Sequence, residues 1–247
     1  MIATTHTSPP AAEAAVDRSV RLVNLAGAAA EDLLGRVRAD MPGAIAAVER
    51  FWGPDWTRDI TVIATGSQTR FEAEAGLDPG GEWADIAAVS VADDVDLARR
   101  QAFGQRSVLA PGAASMTDSA LRIVLAHELF HLAARADTAL DAPRWITEGV
   151  ADFVARPAEP LPTGAALDTA LPSDAALDVP GPGRSAGYDR AWWFARFTAD
   201  TYGVDGLRRF YVRACGPGHG DLAAAVGAAL GTELAELQRR WARWLTR

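Results

Sequence analysis

The run HELFH holds His127, Glu128 and His131, and TEGVAD brings Glu148 and Asp152 soon after it. On a helix that turns about 100° per residue, two histidines four positions apart leave on the same side, so both imidazoles reach one metal ion. The glutamate next to the first histidine is angled to take a proton from a water held beside that ion. Such an arrangement performs metal-assisted hydrolysis, and zinc is the expected ion. Three protein ligands leave a fourth position open for water, whereas a structural zinc site is closed by four. Two histidines can also share a polar helix face with no metal at all, so the elements around the motif must decide.

Ser115, with Asp118 three positions on, is a plausible helix start. Leu121, Leu125, Leu129 and Leu132 then form one apolar stripe, and His127 and His131 project well away from it. The helix is therefore expected to bury its leucines and present its histidines. Asp137 to Ala142 is long enough for a turn between antiparallel helices, and Pro143 suits the first turn of the second one. His131 precedes that turn by about as many residues as Glu148 follows it, which makes Glu148 a candidate third ligand. Asp152 shares its helix face and is placed to accept the remaining ring N–H of a ligating histidine. Gly149 would let the two helices approach closely. Asp137 is the alternative third ligand, in the position metzincin-type sites use, although Ala134 stands where those sites turn the chain with glycine. For a donor to a developing oxyanion there are two candidates, Tyr188 at the start of a later helix and His219 in the turn CGPGHGDL.

HELFH followed by PRWITEGVAD resembles the gluzincin metallopeptidases, and most closely the compact peptidase MA-like family with its Trp-x-x-Glu-Gly-x-Ala pattern. By that resemblance His127, His131 and Glu148 are the metal ligands, Glu128 is the catalytic base and Asp152 orients the first histidine. The gap from His131 to Glu148 is shorter than in the large aminopeptidase or thermolysin types, which argues against an aminopeptidase specificity. A weaker likeness extends through YDRAWWFARFTADTYGVDGLRRF to the Trp-rich end, so that it covers roughly residues 85–247. The resemblance implies a zincin-like fold, a twisted sheet packed on the active-site helix, with zinc in a cleft beside an edge strand. The strand around 105–110 would be the one that pairs with an extended substrate.

The rest of the chain sets the frame. Its 247 residues carry a formal charge of −8 with no basic block, which disfavours nucleic acid and anionic membranes as partners. Residues 1–18, with His6, read as a disordered tail, and 19–247 as a single catalytic domain. Strands are expected at SVRLVNLA, DITVIAT, 85–93 and 104–112, a helix near 29–51 broken at Met41-Pro42-Gly43, and a short helix in SQTRFEAEAG. Beyond residue 115 the pattern is helical, with helices near 187–202, 204–214, 220–230 and 232–246. The fold class is thus α+β, with an N-terminal mixed or antiparallel sheet and a mainly helical C-terminal half. A connection with six prolines between 157 and 182 interrupts the helices directly after the motif, and is read as a wall or lid of the site. Cys215, the sole cysteine, is expected to be a small buried hydrophobe. No apolar run reaches membrane-spanning length and residues 1–19 lack the basic start and apolar run of a signal peptide, so the chain as given is expected in the cytoplasm; export is the expectation for a longer parent.

The expected activity is hydrolysis of peptide or protein substrates by a zinc-activated water, with Glu128 as general base. Two other readings keep the same residues: a non-catalytic metal-binding or interaction module, and a zinc amidase acting on a small molecule or cell-wall peptide.

Overall fold

The computed structural model describes residues 17–79, 81, 83, 85–161, 168–179 and 181–246; His6 and most of the N-terminal segment lie outside them. The chain begins as a β–α–β unit. Strand β1 (Ser19–Leu25) leads through helix α1 (Glu31–Trp52) to β2 (Asp59–Thr65), and the two strands pair in parallel from Ser19 opposite Asp59 to Leu25 opposite Thr65. Helix α2 (Gln68–Ala75) follows, then β3 (Ala88–Val91), the short hairpin β4 (Asp94–Asp96) and β5 (Gln101–Phe103), and β6 (Arg106–Leu109). The main sheet has the order β1-β2-β6-β3 and is mixed: β6 runs parallel to β2 and antiparallel to β3. From there the chain is helical, with α3 (Asp118–Ala134), α4 (Arg144–Ala155), the short α5 (Asp174–Leu177), α6 (Pro182–Tyr202), α7 (Val204–Cys215), α8 (Leu222–Leu230) and α9 (Leu234–Leu245). The α+β class is therefore as expected, with a mixed sheet and a helical second half.

Strand alternation divides the core. Ile60, Val62, Ala64 and Leu109 join α1, α3 and the C-terminal helices in one cluster, while Ile63 and Val108 turn to the opposite face and meet Phe71 and Ala75 of α2. Helix α3 is thereby laid on the sheet with Leu121, Leu125, Leu129 and Leu132 all buried. Phe130 on the same helix packs edge-on to Phe51, Trp52 and Tyr211, which ties α3 to α1 and α7. Phe130→Ala is expected to cost about 3–5 kcal/mol of stability, read as a shifted urea midpoint with an unchanged slope.

Several local expectations are revised. Helix α1 runs unbroken through Pro42, because Leu33, Leu34, Val37, Met41, Ala44, Val48 and Phe51 bury one continuous stripe that outweighs the hydrogen bond a proline forfeits. Thr117 rather than Ser115 caps α3, its hydroxyl accepting from the Ala120 N–H at 3.2 Å. Ordered packing starts one residue earlier than the boundary at 18. Arg18 is buried, paired with Glu49 at 3.0 Å and stacked on Trp56 at 3.5 Å. The strand at 106–109 is interior; the sheet edge next to α3 is β3. Cys215 is fully buried, and burial pushes its thiol far above the ordinary range, as befits an inert core residue. Among the described residues no helix is long and apolar enough to cross a membrane.

Candidate metal centre

Three elements converge on the motif. Helix α3 supplies His127, Glu128 and His131, and α4 supplies Glu148 and Asp152. Helix α6 brings Tyr188 to the same cleft, which has a volume of about 1620 Å³ and is walled by β3 on one side and by Leu177, Asp178 and Pro182 on another. The second half of the proline-rich connection is thus a wall, held by the Asp174 carboxylate accepting the Trp145 N–H at 2.8 Å and by an Arg144–Asp178 pair at 2.8 Å. Residues 162–167 of that connection lie outside the described residues.

Nε2 of His127 lies 3.1 Å from Nε2 of His131 and 3.1 Å from Oε2 of Glu148, and His131 Nε2 is 3.6 Å from the same oxygen. A tetrahedral ion with bonds of about 2.0–2.1 Å separates its ligand atoms by about 3.3–3.4 Å, a value this triangle brackets. The partner of Nδ1 supports the same conclusion. Asp152 Oδ1 lies 3.0 Å from Nδ1 of His127 and holds the N–H there, which leaves Nε2 facing Oε2 of Glu148 at 3.1 Å. A positive charge belongs between those two atoms, a proton in the metal-free site or a metal ion that displaces it. His127, His131 and Glu148 are the metal-competent group among the described residues.

The electrostatics agree. Burial alone would depress the pKa of His127, but its contacts with Asp152 and Glu148 outweigh that and hold it well above the ordinary value. Burial likewise works to raise Glu148, yet His131 and His127 pull it far below the usual carboxylate range. Glu128 lines the cleft and is buried, and its Oε2 has no hydrogen-bond partner among the described residues. The Tyr188 phenol is pushed well up, first by burial and then by Glu148, so it stays an O–H donor at neutral pH.

Asp152 is itself fixed. Arg156 donates to it at 3.3 Å and to Asp189 of α6 at 2.8 Å, and its guanidinium stacks on Trp192 at 3.7 Å. Because this carboxylate sets the ring orientation and basicity of His127, Asp152→Asn is expected to keep the fold and lower zinc affinity about 10- to 100-fold. Competition against a chelator at one pH would show it; equal affinities would leave Asp152 a buried structural carboxylate with no part in metal binding.

Other candidates fall elsewhere. Asp137 is clamped by Arg100, whose Nε and Nη2 donate to its two oxygens at 2.6 and 2.9 Å, and it takes no part in the metal-competent group. His219 sits in the turn before α8, 3.5 Å from Asp141, and does not line the cleft. Gly149 does bring helices together, but α4 with α6 and not α4 with α3: a Cβ there would meet the Ala191 carbonyl oxygen at 2.4 Å. Sequence reasoning missed Ser90 and Arg135. Ser90 of β3 donates its hydroxyl to the Glu128 carbonyl at 3.0 Å and pins the edge strand beneath the motif. Arg135 continues the four-residue spacing of His127 and His131, a signal that was present in the sequence. Comparison with protein-family models, with curated proteins and with solved structures finds no match for this chain.

Proposed function

We propose that the chain is a zinc-dependent metallopeptidase of the gluzincin, peptidase MA-like kind, with a zincin-like fold. The observation that carries this reading is the triangle of His127, His131 and Glu148 beside the unpartnered carboxylate oxygen of Glu128. Zinc bound there would supply Lewis acidity, polarising a carbonyl and making a water a usable nucleophile near neutral pH. Glu128 takes the proton from that water and returns it to the leaving amine. Asp152 holds the His127 ring. Tyr188, kept protonated, donates to the oxygen on which charge develops.

A peptide is favoured as substrate by the cleft wall. The Ala87 carbonyl accepts the Ala110 N–H at 2.9 Å, so antiparallel alternation turns the main-chain groups of Ala88 and Ser90 toward the free edge of β3. That edge lines the cleft and, up to the Ser90 carbonyl that Arg135 occupies, can pair with an extended chain, a role the sequence had placed on the interior strand β6. The test is a mixed peptide library digested by the purified protein and read by mass spectrometry. Cleavage should stop with a chelator and return with zinc, whereas intact peptides under all conditions would refute the reading.

A further inference from the structure

Arg135 ends α3 with helical backbone angles, one turn beyond His131, and lines the metal cleft. One of its terminal nitrogens donates to the Ser90 carbonyl at 2.6 Å. Its Nε is buried without a partner, and Nη1 has none either among the described residues. Glu128 and Glu148 act on it only through space. Other arginines of this cleft are neutralised by direct contact, Arg144 by Asp178 at 2.8 Å and Arg156 by Asp152 and Asp189. Desolvating a guanidinium without a contacting anion is costly, and such groups are normally paired. The tether to Ser90 explains one donor and leaves the charge unanswered.

We propose that Arg135 is a specificity-determining residue that receives a carboxylate of the substrate, so that the cleft selects substrates with a negative charge next to the bond that is cut. This rests on the metal-hydrolase reading above. The placement sets the distance. Side chains four apart on a helix start about 5–6 Å from each other, and an extended peptide advances about 3.3 Å per residue, so the carboxylate belongs to a residue one or two places from the reacting carbonyl. A planar guanidinium fork suits a carboxylate better than a lysine ammonium would. Two sources share this chemistry, an Asp or Glu side chain and a C-terminal carboxylate. The chain taken up along β3 meets Arg135 where the guanidinium closes the edge at the Ser90 carbonyl.

The test uses a pair of hydroxamates on the zinc-loaded protein, one bearing a succinyl carboxylate and the other its terminal carboxamide. The hydroxamate reports the metal and the arm reports Arg135. The acid should bind about 10- to 100-fold more tightly than the amide. Arg135→Met should erase that difference while leaving the amide's affinity unchanged, and Arg135→Lys should keep part of it. Equal binding of acid and amide to the wild type, or a preference that survives in Arg135→Met, overturns the proposal and leaves the metal cleft standing. If neither compound binds, the hydrolase reading fails and this one fails with it. If the Met variant does not fold, the comparison on the wild-type protein still decides. Acetylated peptides bound to zinc-loaded Glu128→Gln then separate the sources: amidating the C-terminus or exchanging an internal Glu for Gln should weaken binding by the same factor, and no change from either would contradict the proposal.

Discussion

Glu128→Gln is expected to hold one zinc ion as firmly as the wild-type chain and to lose about 10²- to 10⁴-fold in peptide turnover. His127, His131 and Glu148 bring their ligand atoms together, whereas Glu128 is absent from that group and has a buried oxygen without a partner among the described residues. An amide of nearly the same shape fills its place but cannot take a proton. Zinc content by elemental analysis and turnover on one peptide pool, measured on the same preparation, separate the two roles. Loss of zinc as complete as in His131→Ala would make Glu128 a ligand and the assignment wrong.

Glu148→Ala should weaken zinc binding by more than about 100-fold, beyond what loss of an outer hydrogen bond produces. Two imidazoles remain in that variant, and the carboxylate that closes the triangle at 3.1 and 3.6 Å is gone. Asp137→Ala is the internal comparison. Its carboxylate is engaged by Arg100, a residue held at φ 52°, and the substitution should leave zinc affinity unchanged while loosening the β4–β5 hairpin from the end of α3. Chelator competition on the two variants reads the contrast directly. The reverse order would give the third-ligand role to Asp137 and remove the basis for the gluzincin reading.

Which parts of this arrangement were legible in the chain follows from the range of the signals. The leucines of α3 and the two histidines obey one helical period, and that period is local, so the helix and its two faces could be read directly. Glu148 and Asp152 were within reach because a short turn makes neighbouring helices antiparallel. The strand order was not. DITVIAT and RSVL look alike as apolar runs, and only the pairing of β6 with β2 on one side and β3 on the other makes β6 interior and leaves β3 as the edge. The β4–β5 hairpin escaped notice because DVD and QAF are three residues each, too short for a strand period to show. Pro42 misled because a proline signal is local while the burial that overrides it is tertiary. Gly149 illustrates the same limit: its need for close approach was readable, but the partner, Ala191 on α6, lies across the proline-rich connection.

The central claim is that one metal ion in this triangle makes the chain a hydrolase, and it is tested most directly by titrating zinc into metal-free protein while following hydrolysis of a peptide pool. The account predicts that turnover rises in proportion to added zinc, levels off at about one equivalent, and is absent from His127→Ala at every point of the titration. Zinc that binds to one equivalent without any peptide being cut, or cleavage that proceeds equally well without zinc, would contradict it.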